Sequence, residues 1–347
     1  MNRCPRLSLG LQRAAALIRD LRRRRNLKVH PRSGISPACV LHSATGSAFV
    51  GAYTGSQICH CFLALRLIYG WVVTGIDIGR FGIWRRVAEI DEDMAREADS
   101  LGYEAIWVGG SPPGDLIAVE RILDVTERIP VATGIVNMWR EEAATVAASH
   151  HRLREKHPGR FLLGVGIGHP EATSEYSDPV ATIESYLDEL EAGGVPNEEI
   201  VLAALGPRVL RIAAERTAGA HPYLTTPRHT RFARDVLGDG PMLAPEHFVI
   251  LSDGDQAHDA GRQTVSRYLR LDNYRRNLAR EGWEEADLDD GGSDPLIDAL
   301  VLHGSPESIA DGLTAHLDAG ADHISLQVIG GDPGEAHRQI AAALKLS

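Results

Sequence analysis

From residue 79 onward, short apolar runs alternate with longer amphipathic stretches. The apolar runs are continuous rather than alternating, which is typical of strands in a parallel sheet covered on both faces. The stretches between them, such as residues 85–102 and 207–219, have helical spacing and end on glycine, the residue that most often terminates a helix. The predicted strands are residues 79–84, 104–110, 130–136, 160–168, 200–205, 221–226, 247–253 and 323–329.

Eight strand–helix units follow one another, and this repetition predicts an α/β protein with a (β/α)8 TIM barrel, a fold of about 250 residues. A doubly wound open sheet is the main alternative. It usually carries a glycine-rich fingerprint after the first strand, and GRFGIWRR at residues 79–86 is not one. The longest interruption, residues 254–322, is interpreted as an insertion before the last strand together with the penultimate helix.

Residues 1–72 differ in composition from the rest of the chain. They contain ten Arg and one Lys against a single acid, Asp20, and so carry a net charge of +10, although the whole chain carries −11. We interpret residues 1–72 as a non-homologous extension, predicted to be disordered or to precede the true start, and residues 73–347 as the barrel domain. A targeting segment or a basic interaction tail is the alternative interpretation.

The composition also indicates which kinds of partner and which cellular compartment suit the protein. A net charge of −11 argues against a nucleic-acid partner, and no apolar run reaches the ~18 residues of a membrane helix. All four cysteines lie within residues 1–72, so the rest of the chain fits a reducing, cytoplasmic compartment. No metal site is predicted, because Cys59-His60-Cys61 is weak evidence and no other metal-ligand spacing appears.

Glycines cluster where the predicted strands end, which is where barrels collect their functional residues. Four of these rims contain glycine, and this predicts a cavity walled by backbone that suits a flat ligand. Gly134 is the clearest case, since it lies inside the strand PVATGIVNMW at residues 130–139. A glycine there indicates a bulge or a group that approaches the backbone closely.

An anion site is predicted at LGPRVLRIAAE, residues 205–215. Gly206 turns off the fifth strand, and Pro207 suits the first position of a helix. The free N–H groups of a helix start favour a phosphate, although the same residues would serve a helix start alone. Thr225, Thr226 and Arg228 are candidate additional donors.

Four further side chains are candidates for the chemistry. His169 follows the fourth strand directly and has the ordinary pKa of a proton donor or acceptor, although it would equally cap a turn. Asn137 is a candidate to hydrogen-bond a ligand carbonyl, or alternatively its own turn. Trp84 and Trp139 are candidate walls of a substrate pocket, or alternatively ordinary packing.

These segments, together with GSPESIADGLTAHLDAGADHISLQV at residues 304–328, resemble the luciferase-like monooxygenase superfamily, and most of all its branch that uses the deazaflavin coenzyme F420. The resemblance spans residues 76–347. It implies a non-proline cis peptide at Gly134–Ile135 that supports the central ring of the coenzyme. It also implies coenzyme contacts from the rims of the second, fourth, fifth and sixth strands: Gly110, Ser111, Ile167, Gly168, His169, Ala204, Leu205, Gly206 and Thr225.

The sequence departs from this family at one position that matters. Many F420-using relatives have an Asp–His pair after the second strand, where this chain has Gly110 and Ser111. Oxidation of an alcohol with that histidine as base is therefore not implied, and His169 and Asn137 become the candidate catalytic residues.

The function expected from the resemblance is hydride transfer between coenzyme F420 and a small organic substrate. An FMN-dependent monooxygenase that uses reduced flavin and O2 is the first alternative, and a non-catalytic flavin-binding barrel is the second. Relatives commonly dimerise, so a homodimer is expected.

Overall fold

A computed structural model describes residues 75–168 and 178–346, together with the backbone of residues 41–42 and 48–49. The chain divides into two units, residues 1–72 and 73–347. In the first unit, the two-residue strands Leu41–His42 and Ala48–Phe49 pair in antiparallel fashion. The interpretation of residues 1–72 as an extension stays a prediction.

The second unit alternates strands and helices as the sequence pattern predicts. Its strands are β1 Phe81–Arg86, β2 Ala105–Gly109, β3 Val131–Gly134, β4 Val136–Asn137, β5 Phe161–Gly166, β6 Ile200–Leu202, β7 Gly219–Ala220, β8 Met242–Leu243, β9 Glu246–Ile250, β10 Val301–His303 and β11 Ile324–Val328. Its α-helices are α1 Glu92–Ser100, α2 Ile117–Val125, α3 Ala143–Lys156, α4 Pro179–Ala192, α5 Pro207–Arg216, α6 Pro227–Leu237, α7 Gly254–Val265, α8 Asp272–Arg280, α9 Glu285–Leu288, α10 Asp294–Leu300, α11 Pro306–Asp318 and α12 Pro333–Leu344. The described residues also form two 3-10 turns, Val87–Glu89 and Asn197–Glu199.

All strand pairs of this unit are parallel, and the sheet curls back on itself. β8 pairs with β7 at one end of the sheet, while β9 pairs with β11. Only two residues separate β8 from β9, so one short segment joins both ends. Backbone hydrogen bonds continue the ladder across the junction, from Ala244 N–H to the Ala220 carbonyl and from Glu246 N–H to the Pro222 carbonyl, each 2.9 Å. The predicted (β/α)8 barrel is confirmed.

The barrel has two apolar layers because each strand presents alternate residues to opposite faces. The outer layer packs the strands against the helices and contains, for example, Ile106, Val108 and Val249. The inner layer contains Trp84, Trp107, Ala105, Ala132, Leu162, Val201 and Ala244. The other buried members of this inner cluster are small and medium aliphatic side chains, so the two tryptophans are its largest residues.

Two expectations about the barrel were wrong. The sixth strand is residues 219–220 rather than 221–226, because Pro222 has no N–H to donate and Leu224 has a left-handed backbone with φ 55°. The first helix begins at Glu92, not residue 85, because Arg85 and Arg86 still belong to β1.

The insertion after β9 is confirmed but contains more structure than predicted. Helices α7 to α10 are followed by a short strand, β10, which pairs in parallel with β9. Within the insertion, α7 ends at Val265 and α8 begins at Asp272, so residues 266–271 separate two helices. In the part of the chain that the structure describes, no helix is both long and apolar enough to cross a membrane.

Candidate functional site

The carboxyl ends of the barrel strands meet at one mouth, and those predicted rim residues that the structure describes lie there. The peptide bond between Gly134 and Ile135 is cis, as the family resemblance implied. This cis bond separates β3 from β4. Ile135 and Ala203 both pack against Gly166, because a Cβ atom added to Gly166 would come within 2.8 Å of Ala203 and 3.2 Å of Ile135. The wall at strands β3 to β6 is therefore built of glycine, alanine and one isoleucine.

Trp84 is the group that approaches Gly134 most closely. A Cβ atom on Gly134 would lie 2.6 Å from the Trp84 indole Nε1 and 3.1 Å from His221 Nε2. The same indole lies across Gly109, whose Cβ would stand 1.9 Å from Trp84 Cζ2. The group that approaches the backbone at Gly134 is therefore a side chain of the protein, and the support of a coenzyme ring by the cis peptide stays a prediction.

Trp84 therefore lies in the floor of the mouth, and its role as a wall of the substrate pocket stays a prediction. It is 5% exposed, and its Nε1 has no hydrogen-bond partner among the described residues. Below it, Trp107 stacks on His221 with ring centroids 4.0 Å apart. Burial lowers the pKa of His221 to about 4, so the ring is neutral, donates from Nδ1 to the Ala244 carbonyl at 2.6 Å, and keeps Nε2 as an acceptor.

Three tyrosines cover this floor from the side of the insertion. The hydroxyl groups of Tyr223 and Tyr268 lie 2.8 Å apart, and Tyr223 donates to Gln327 Oε1 at 3.0 Å. Tyr268 packs edge-on against Tyr274 with ring centroids 5.5 Å apart. Burial raises the pKa of all three, so they act as neutral hydroxyl groups.

A buried acid, Glu246, lies beside these tyrosines. Ala244 faces the interior and Val249 faces the helices, so the alternation along β9 directs Glu246 into the barrel. Glu246 is 0% exposed, the backbone N–H of Leu224 faces it, and neither oxygen has a well-formed hydrogen bond in the described structure. Burial raises its pKa well above the ordinary value, and a carboxyl group kept neutral in this way can donate a proton.

The predicted anion site lies at the start of α5. Gly206 is the N-cap residue and Pro207 the first helical residue, so the next N–H groups point out of the helix without a side-chain cap. The guanidinium group of Arg280, on α8 of the insertion, lies 3.9 Å from the Cβ position of Gly206. Arg280 has no carboxylate partner in the described ranges and contacts only the Asn277 amide oxygen, at 3.4 Å. A helix start and an unpaired cation thus face the same place.

A second set of polar groups links this site to α6. Thr226 caps α6 by accepting from His229 N–H at 3.2 Å, and His229 Nε2 lies 3.0 Å from the carbonyl oxygen of Leu205. The Thr226 hydroxyl also donates to Glu281, which accepts from Asn277 Nδ2 at 3.1 Å. Burial raises the pKa of Glu281 to about 7.

The remaining predicted residues have varied positions at the mouth. Asn137 is buried, and its Oδ1 accepts from Trp139 N–H at 2.9 Å, so the oxygen serves its own turn while Nδ2 points at Gly168. Gly110 and Ser111 both have positive φ, 77° and 56°. Thr225 is fully buried, and no partner for its hydroxyl lies within the described residues.

Of the other predicted contacts, Ala204 is buried, whereas Ile167 and Leu205 are half-buried. Gly168 has a positive φ of 62°. Trp139 is half-buried after β4. His169 lies outside the described residues, so its predicted role stays a prediction.

Sequence reasoning missed Arg280, Glu246, Tyr268 and His221. Arg280 and Tyr268 lie in the insertion, for which no site residue is predicted from the sequence. Glu246 did carry a signal, since it is an acid at the start of a continuous apolar run. His221 carried none beyond its place in a predicted strand.

Known proteins resemble this chain in sequence and in fold. The model of the luciferase-like monooxygenase family matches residues 87–192. The 5,10-methylenetetrahydromethanopterin reductase of Methanolobus tindarius is 24% identical over 307 residues, which are 72% of this chain and 92% of that protein.

Two solved structures share the fold. An F420-dependent secondary alcohol dehydrogenase in complex with an F420–acetone adduct superposes with a TM-score of 0.61 at 14% identity, covering 78% of this chain and 99% of that one. A type II Baeyer–Villiger monooxygenase, the oxygenating constituent of 3,6-diketocamphane monooxygenase from Pseudomonas putida in complex with FMN, gives a TM-score of 0.56 at 16% identity, covering 78% and 98%. The resemblance seen in the sequence is thereby confirmed: residues 87–192 match the luciferase-like monooxygenase family model, and the chain shares its fold with these two solved structures.

Proposed function

We propose that this protein is an oxidoreductase that transfers a hydride between coenzyme F420 and a small organic substrate. The observation that carries the proposal is the pairing of the uncapped start of α5 at Gly206 with the unpaired guanidinium of Arg280. Phosphate is the ligand that a helix start and an arginine bind together. Gly110 and Gly168, at the rims of β2 and β5, support the further proposal that a flat ring lies close to the backbone there.

The residues at the mouth fit such a coenzyme. Gly206, with Leu205 and Ala204 before it, would hold the phosphate together with Arg280. Gly110, Ser111, Ile135, Ile167 and Gly168 would contact the ring system from the rims of β2, β3 and β5. Thr225 offers a buried hydroxyl group without a partner among the described residues. When bound in its reduced form, the coenzyme supplies the hydride.

The protein's own groups would supply the proton that accompanies the hydride. Glu246 is the best candidate of the described residues, because it is buried, neutral and close to the Tyr223–Tyr268 hydroxyl pair. His169 and Asn137 stay our proposed contacts beside the ring. Glu246→Gln should leave coenzyme affinity unchanged and lower kcat at least tenfold, since removing a general acid typically costs ~10²–10⁴ in rate. An unchanged kcat would exclude Glu246 as the donor.

An FMN-dependent monooxygenase is the second candidate. The likeness to the FMN complex favours it, since that structure covers this chain to the same extent as the F420-dependent one. Both coenzymes present a tricyclic ring and a ribityl phosphate, so the described mouth would accept either.

Titration of the purified protein with oxidised F420 and oxidised FMN in parallel, followed by fluorescence, separates the two candidates. Saturable F420 binding with weaker FMN binding is the expected result. Tight FMN binding without F420 binding would overturn the first choice. Tight binding of either coenzyme, without hydride turnover on a broad substrate panel, would instead support the non-catalytic flavin-binding barrel.

A further inference from the structure

Two histidines and an aspartate converge in the insertion, away from the start of α5. His258 on α7 and His303 at the end of β10 both direct Nε2 at one oxygen of Asp298 on α10, at 2.7 and 3.0 Å. The three donor atoms lie within 4.8 Å of one another. The imidazole rings stand nearly perpendicular, with an interplanar angle of 82°.

The other nitrogen of each ring also faces a carboxylate. His258 Nδ1 lies 3.5 Å from Asp294, and His303 Nδ1 lies 3.4 Å from Asp253. Both are ion-pair distances, and His303 Nδ1 has no hydrogen bond among the described residues. Metal-bound histidines commonly have a carboxylate beside their second ring nitrogen, and both imidazoles have one here.

The local charge also favours a cation. Three aspartates, Asp253, Asp294 and Asp298, lie around the two imidazoles, and the guanidinium of Arg262 contacts one of them, Asp294. The carboxylates at this place therefore outnumber that guanidinium.

We propose that His258, His303 and Asp298 bind one divalent transition-metal ion of the zinc class, with water completing the coordination. Two imidazoles and one carboxylate suit zinc, whereas magnesium and calcium prefer oxygen ligands alone. The ion would connect α7, α10 and β10 and hold the insertion to β9, the strand that β10 pairs with. No coenzyme or redox step is involved, so the proposal is independent of the proposed function.

The test is a titration of tag-free, metal-stripped full-length protein with Zn²⁺ by calorimetry, with Mg²⁺ in parallel. We expect one Zn²⁺ per chain, no Mg²⁺ binding, and a rise in Tm with Zn²⁺ because a ligand that binds only the folded state stabilises it. His258→Gln and His303→Gln should each lower the affinity at least tenfold and abolish the rise in Tm. Absence of one-to-one binding to the wild-type protein would overturn the proposal, whatever the variants do.

Two controls separate this site from others. His157→Gln removes a histidine that pairs with a single aspartate, Asp124 at 3.0 Å, and should leave Zn²⁺ binding unchanged. Cys59→Ser/Cys61→Ser removes the thiolates nearest to one another in the sequence, and should also leave it unchanged. Binding that survives both histidine substitutions but is lost with the cysteines would refute the assignment, as would a thiolate charge-transfer band on adding Co²⁺.

Discussion

Glu281 provides a quantitative test of the polar network beside the anion site. Its side chain is buried, accepts from Thr226 and Asn277, and has a pKa raised by burial from 4.5 to about 7. The unfolded chain releases this proton at a lower pH than the folded protein does. The stability contributed by proton binding is therefore complete below pH ~4.5 and is lost progressively as the pH rises to ~7.

The size of the effect follows from the shift. A difference of about 2.5 pKa units corresponds to about 3.4 kcal/mol at high pH, of which about 0.8 kcal/mol has already been lost at pH 5. Glu281→Gln removes the titration but keeps the shape and an acceptor for Thr226. The free energy of unfolding of Glu281→Gln, relative to wild type, should thus increase by about 2.5 kcal/mol between pH 5 and pH 8.

Urea unfolding of both proteins at pH 5, 6, 7 and 8 measures this difference. Glu155→Gln on the exposed face of α3 is the matched control for the loss of one carboxylate. Two other results are informative: the free energies of unfolding of the wild type and Glu281→Gln differ by the same amount at every pH, or the wild type becomes relatively more stable at high pH. Either result would show that Glu281 is not buried as described.

Three further predictions concern the mouth and the assembly. Arg280→Gln should weaken F420 or FMN binding about tenfold or more in the fluorescence titration, since a hydrogen bond to a charged group contributes ~1.5–3 kcal/mol. The control Arg276→Gln, on the same helix, should leave the affinity unchanged. If Arg280→Gln bound the coenzyme as tightly as the wild type, Arg280 would not belong to the anion site. Gly109→Ala should lower the free energy of unfolding in urea by about 1–3 kcal/mol, because its Cβ would collide with Trp84. The same substitution should lower it by less in a Trp84→Phe background. An equal loss of stability in both backgrounds would contradict the contact between Gly109 and Trp84. The homodimer stays a prediction, which light scattering coupled to size exclusion would refute by giving a monomer mass.

Periodicity along the chain was enough to predict the barrel. Continuous apolar runs separated by helical stretches predict strands covered on both faces. Strands β1, β2, β5 and β11 form where such runs lie in the sequence. The helix start at Gly206 and Pro207 was also readable, because N-capping and proline geometry depend on neighbouring residues only.

Where sequence reasoning failed, the deciding contact came from elsewhere in the chain. Gly134 suggested an approaching group, but only the closed barrel shows that Trp84 from β1 reaches across Gly109 to it. The sixth predicted strand, residues 221–226, lies a few residues beyond the observed strand β7. Pairing with β6 stops because Pro222 and Leu224 turn the backbone away.

The sequence by itself determined the fold class, the parallel order of strands and helices, and the helix start that faces the mouth. Tertiary structure alone decided which side chains share that mouth and which share the cluster in the insertion. Arg280 reaches Gly206, and His258 meets Asp298 and His303, across segments that no local periodicity connects. The physical reason is that hydrogen-bonding and packing preferences act between neighbours along the chain, whereas a site depends on distances that exist only once the barrel has closed.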